Sequence, residues 1–262
     1  MSKLAALARF FNPASGRAVI VPLDHGTIVP VPGLEDPRAL LEALHPLADG
    51  FIVNLGLALR FAHVLAGKGI VLRADSGNTC IENLSSDGSF RLYGAAQAQA
   101  AGAHALMNML FPGHPNEASI IRDCAALVAE TLDSPLPVML ETLPYGLGRS
   151  ADYTPENIRF CVRLACELGA DVVKTAYPGD PEAFRAICRE AYVPVIILGG
   201  ASGRIRPEDL LRDVAAAIEA GASGIAIGRN LWQHPHPEAM ARALHAVVHE
   251  NASPSQAALH LR

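Results

Sequence analysis

Residues 194–200 read PVIILGG: a proline, four consecutive aliphatic side chains, then two glycines. A half-exposed strand alternates apolar with polar residues, whereas a strand covered on both faces needs apolar side chains on both. This run therefore predicts a parallel strand buried between layers. Equivalent short runs recur at 18–23, 50–54, 69–75, 105–110, 137–141, 171–175 and 223–227. Helical patterns separate them. Asp36-Pro37, Thr154-Pro155 and Asp180-Pro181 place a capping side chain before a proline suited to the first helical turn. Gly169 and Gly221 stand where left-handed C′ residues end a helix, and Ser253-Pro254-Ser255-Gln256 has the pattern of a capping box.

Eight strands alternating with helices within 262 residues predict a (β/α)8 TIM barrel of the α/β class. A doubly wound open sheet is the alternative architecture. No linker or shift in composition divides the chain, so residues 1–262 are expected to form a single barrel domain with a short N-terminal helix and a C-terminal helical tail. The Pro/Gly-rich stretch at 27–36, TIVPVPGLED, is long enough to reach over a site.

Composition narrows the function classes. The formal charge is -5, aromatic residues make up 5%, and no basic run occurs, so no nucleic-acid footprint is expected. Apolar runs are strand-sized, far short of the roughly 20 residues of a membrane span, and the N-terminus shows no secretory pattern. The five cysteines (Cys80, Cys124, Cys161, Cys166, Cys188) form no C-x-x-C pair. Their odd number suits reduced thiols in a cytoplasmic protein.

In a barrel, chemistry gathers at the C-terminal ends of the strands. That filter selects Asp24 and His25 after the first run, Arg73 and Asp75 after the third, and Glu141 with Tyr145 after the fifth. It also selects Lys174 with Tyr177 at the sixth, Gly199 and Gly200 at the seventh, and Gly228 and Arg229 at the eighth. Lys174 stands out because the chain contains only three lysines and sets this one in an apolar strand, ADVVKTAYPGD (170–180). An amine taken out of water loses part of its preference for the ammonium form, and a free amine attacks ketones. The resulting Schiff base is an electron sink that lets an adjacent C–C bond break without a metal. The structural alternative is an ion pair of Lys174 with Glu141 or Asp24 that only fills space.

Adjacent glycine loops after the seventh and eighth strands commonly hold a phosphate on backbone N–H groups, with Arg229 or Arg204 able to add charge-assisted bonds. Asp24 could hold substrate hydroxyls or cap a turn. Glu141 and Tyr145 are acid–base candidates that could equally be a counter-ion and a packed ring. His245 and His249 have an i, i+4 spacing, but no third ligand is placed with them, and no metal site is expected.

The motifs DHG, KT-x-Y, GG and GASGIAIGRNLWQHPHPEAMARALHAVVHE (221–250) resemble the archaeal-type class I fructose-bisphosphate aldolase family. That family includes the enzyme that processes phosphorylated autoinducer-2 and the amino-dideoxy-heptulosonate synthases. The resemblance implies a metal-independent, cofactor-free aldolase with Lys174 as the Schiff-base lysine and Asp24 as an active-site carboxylate. It further implies phosphate contacts from Gly199, Gly200, Gly228 and Arg229, a phosphorylated ketose such as fructose 1,6-bisphosphate as substrate, and a homo-oligomer, often a decamer. His25, Arg73, Tyr177 and Arg204 complete the expected substrate-binding set.

Two departures bear on the substrate. The family's proton-transferring tyrosine precedes Pro-Arg-Gly, whereas here Leu143 holds that position and Tyr145 replaces the arginine. A frequent Gly-Gly-Pro-Lys is here Gly199-Gly-Ala-Ser-Gly-Arg204. The stretches FFNPASGRAVIVPLDHG and VLRADSGN lie nearer the autoinducer-processing branch, whose reaction transfers an acyl group to coenzyme A. A barrel that binds phosphosugars without covalent chemistry and a purely structural oligomer are the readings outside aldol chemistry.

Overall fold

The computed structural model describes residues 2–81, 88–200 and 205–262. Eight parallel strands close on themselves: β1 (Ala18–Pro22), β2 (Gly50–Val53), β3 (Gly69–Arg73), β4 (Ala105–Leu110), β5 (Val138–Thr142), β6 (Val172–Thr175), β7 (Val195–Leu198) and β8 (Gly224–Ala226). Each pairs with its sequence neighbours, and β8 closes the ring against β1, with Ala18 opposite Gly224. Helices cover the outside. The expected third strand, 69–75, ends early at Arg73, and Asp75–Ser76 turns aside to pair antiparallel with Phe90–Arg91.

The continuous apolar runs are explained by two separate cores. Val19, Val21, Phe51, Val53, Leu72, Val173 and Ile197 point outward under the helices. Ile20, Ile52, Val71, Met107, Met139, Val172 and Ile196 fill the barrel interior. Both faces of each strand are thus dry, and no polar alternation can appear in the sequence.

The capping signals work as written. Asp36, Thr154 and Asp180 accept backbone N–H groups at the starts of Pro37–Leu44, Pro155–Glu167 and Pro181–Glu190. Ser253 and Gln256 form the capping box of Pro254–Ala257. Among the described residues, no helix is long and apolar enough to cross a membrane.

The bottom of the barrel is stopped by the N-terminal segment. After the helix Lys3–Leu7, Phe10 enters the interior core with Leu7 and Phe11 beside it. The fit explains Gly69, where an added Cβ would lie 2.4 Å from the Phe10 ring. Lys3 pairs with Asp171 at 2.8 Å, and Asp171 also accepts the Val138 N–H, which fixes Asp171 at the end of β6 away from the mouth. Phe10→Ala should destabilise the protein by roughly 3–5 kcal/mol, because it empties a filled apolar space. Urea unfolding measures this, and a loss below about 1 kcal/mol would mean that the plug carries no packing energy.

Candidate active site

At the opposite end the strands converge on polar residues. Lys174 on β6 and Glu141 on β5 are opposed in register. Lys174 Nζ donates to Glu141 Oε2 at 2.7 Å. The lysine is 4% exposed and the glutamate 7%, so water screens the pair little.

A second buried cluster spans β1 to β3. Arg73 leaves the end of β3 and donates through Nη1 to Asp24 Oδ2 at 2.7 Å and through Nε to Asp75 Oδ1 at 2.8 Å. Asp75 also accepts from the Ser89 hydroxyl and from the Met109 N–H. Burial alone would raise the carboxyl of Asp24, yet the charges of Arg73, His25 and Lys174 outweigh it and hold the group at about 2. Burial also works against the Arg73 cation, but Asp75, Asp24 and Glu141 keep it firmly protonated. Asp24 is therefore a fixed anion whose field includes Lys174. This arrangement can orient hydroxyl groups beside an amine.

The family pattern "DeoC/LacD family aldolase" matches residues 18–234. The chain belongs to the DeoC/LacD aldolase family. It is 30% identical to a class 1 fructose-bisphosphate aldolase of Halobacterium salinarum, over 92% of this chain and 94% of that one. It is 31% identical to a 3-hydroxy-5-phosphonooxypentane-2,4-dione thiolase of Yersinia enterocolitica, over 94% of this chain and 81% of the other. A solved archaeal fructose-1,6-bisphosphate aldolase, with its catalytic lysine covalently bound to a carbinolamine intermediate, superposes with a TM-score of 0.84. That match is 28% identical and covers 95% of this chain and all of the other.

The remaining candidates of this DeoC/LacD aldolase are spread around the mouth. His25 lies beside Asp24, its Nδ1 3.5 Å from Oδ1, with its ring edge-on to Trp232. Burial pushes its imidazole below the usual value, although the Asp24 charge pulls the other way. Gly228 begins the turn Arg229–Trp232 in a space with no room for a side chain: a Cβ would come within 2.8 Å of the Pro22 carbonyl oxygen. Trp232 Nε1 donates to that same carbonyl at 2.9 Å and locks the loop after β8 onto β1. Across the loop after β7, Asn230 Nδ2 donates to Gly199 O at 2.5 Å. Gly199, Gly200, Gly228 and Arg229 thus share one side of the mouth, while Arg204 lies outside the described residues.

Tyr145 occupies a left-handed conformation with φ 60°, is 40% exposed, and packs its ring between Gly113 and the guanidinium of Arg149. Tyr177 stacks edge-on against Phe184 of the surrounding helix. Tyr153 was not selected from the sequence. Burial, then the charges of Glu141 and Asp152, push its phenol up to about 12, and its hydroxyl donates to Gly146 O at 3.3 Å. An aromatic residue just before the Thr154 cap was the available signal. His249 lies away from the strand ends that form the mouth, bonded to Asp49 at 3.0 Å and Ser15 at 2.8 Å, with the His245 ring edge-on to it.

Proposed function

We propose that this aldolase acts as a class I enzyme, making or breaking a C–C bond of a phosphorylated ketose through a Schiff base on Lys174. The observation that carries this reading is the buried Lys174–Glu141 pair at the mouth of an aldolase-family barrel. In the cleavage direction the Lys174 amine attacks the ketone carbon, and loss of water gives a protonated imine. Glu141 takes the proton from the hydroxyl two carbons from the imine carbon. The intervening C–C bond breaks, its electron pair forms an enamine on the lysine, and the aldehyde leaves. Protonation of the enamine and hydrolysis then release the second product. The iminium is the electron sink, so this chemistry draws on no metal ion or organic cofactor.

Asp24 orients substrate hydroxyls, Arg73 holds Asp24 ionised, and His25 packs beside it as a neutral donor or acceptor. The phosphate is assigned to backbone N–H groups around Gly199, Gly200 and Gly228, with Arg229 supplying charge. Tyr145 and Tyr177 flank the entrance. Assembly into a homo-oligomer is part of the same reading, supported by the exposed Phe160 and Tyr192 on the outer surface. Acyl transfer to coenzyme A is the second reading. It is favoured by Leu143 standing where the aldolase branch carries its tyrosine and by the likeness to the thiolase.

Borohydride reduction in the presence of dihydroxyacetone phosphate or fructose 1,6-bisphosphate, followed by peptide mapping, tests the covalent step. The expected result is a reduced adduct confined to Lys174. Ligand-induced thermal stabilisation with no adduct from either compound would instead support a barrel that binds phosphosugars without covalent chemistry.

A further inference from the structure

Beside the Asp24 cluster a cavity of about 330 Å3 lies over the ends of β1, β2 and β3. Its walls are apolar: Leu23 and Leu34 are buried within them, and Val31, Leu57 and Tyr93 are half-buried. Among its described lining residues Asp75 alone carries a charge, and no lysine or arginine is present. Asp75 already accepts from Arg73, Ser89 and the Met109 N–H, so its carboxylate is satisfied from within the protein. The cavity adjoins the Asp24–Arg73–Asp75 cluster, and Lys174 is among the charges that act on Asp24. Asp75 and Asp24 share Arg73, and Asn54, another lining residue, donates to the Asp24 carbonyl at 2.7 Å.

Charge decides what such a cavity can hold. A phosphate placed there would lose its water beside an aspartate whose one cation, Arg73, is already shared with Asp24, which is strongly unfavourable. An alkyl chain would cover apolar wall without leaving a polar group unpaired. A cavity of this size suits a small organic molecule. Around the ring β8 follows β7 and closes on β1, so the glycine loops and the apolar cavity occupy different arcs of the mouth, with Asp24 at the boundary.

We propose that this cavity is the subsite for the aldehyde that the reaction adds to, or releases from, the Lys174-bound fragment, and that this aldehyde is uncharged and apolar. The inference rests on the Schiff-base reading above and narrows its substrate to a ketose with one phosphate and an alkyl end. In the synthetic direction, loss of a proton from the donor iminium to Glu141 gives the enamine. The enamine electron pair forms the new bond to the aldehyde carbon. The carbonyl π pair moves to oxygen, which takes the proton back from Glu141 to become a hydroxyl, and water then hydrolyses the imine.

The test is the ratio of kcat/KM for hexanal to that for glyceraldehyde 3-phosphate, with dihydroxyacetone phosphate as donor and the full-length protein. The wild type should favour hexanal by about tenfold or more. Val31→Lys, and separately Leu57→Lys, should each move the ratio by about tenfold toward the phosphorylated aldehyde, since each supplies the missing cation. A ratio within one protein does not depend on how much of it folds. Wild-type preference for glyceraldehyde 3-phosphate, or a ratio unmoved by both variants, overturns the subsite while leaving the Lys174 adduct intact. Failure of dihydroxyacetone phosphate to form that adduct overturns the Schiff-base reading and the subsite with it.

Discussion

Lys174→Met is expected to lower kcat/KM by roughly ten-thousand-fold or more and to abolish the borohydride adduct, because no other group at the mouth can take over covalent activation of the ketone. The substitution has a second effect that must be separated from the first. Glu141 would remain buried without the cation that now lies 2.7 Å away. Breaking a buried ion pair from one side commonly costs about 3–5 kcal/mol, so the single variant should also melt earlier. Lys174→Met combined with Glu141→Gln removes both charges and should recover much of the stability while remaining inactive. Thermal melts and turnover measured on the wild type, both single variants and the double variant complete the cycle. Substantial turnover or a persistent adduct in Lys174→Met would rule out the proposed chemistry.

Arg73→Met is expected to produce the second largest effect, a destabilisation of about 3–5 kcal/mol at neutral pH, since two buried carboxylates lose their shared cation together. Its pH dependence has a definite sign. In the wild type the Asp24 carboxyl is held at about 2, below its ordinary 3.8. The corresponding stability, on the order of 2 kcal/mol, is present above about pH 4 and is lost as pH falls toward 2. Without Arg73 the effect of burial is less opposed, and the folded carboxyl rises. The stability gap between wild type and variant should therefore narrow on acidification, and the acidic limb of the kcat/KM profile should move upward in pH. Urea unfolding between pH 3 and 8 measures the first effect. A gap independent of pH would mean that Arg73 does not control the ionisation of Asp24. Arg73→Lys should recover only part of the loss, because an ammonium cannot reproduce the fork that reaches both carboxylates.

The barrel was legible because its physics is local. A strand dry on both faces must be written as an apolar run, and a helix start must supply a cap, so both leave marks within a few residues. The strand-end rule groups Asp24, Arg73, Glu141 and Lys174 for the same reason, and the structure brings them to one end of the barrel in two buried clusters. The pairings were less accessible. Arg73 bridges Asp24, 49 positions away, and Asp75, its near neighbour. No spacing rule distinguishes that bridge from two separate surface charges. The apolar run predicts a third strand to Asp75, but the chain leaves the barrel after Arg73, and this departure brings Asp75 back against the guanidinium. For Lys174, the sequence left two carboxylates as possible partners, and the register of β5 against β6 selects Glu141. Nothing local in the sequence marks Phe10 as a plug. Its insertion depends on the absence of side chains at Gly50 and Gly69, a coincidence of distant positions rather than a local pattern.

The aromatic stopper at the bottom also bears on the order of events in a catalytic cycle. A barrel whose interior is packed from Phe10 upward is a blind well, so both halves of a split substrate must leave by the route through which the whole entered. Under the proposed chemistry one half is tethered to the lysine and the other lies nearer the rim. The untethered half must clear the well before water can reach and release the tethered one. Sequence of departure is then set by depth rather than by relative affinity.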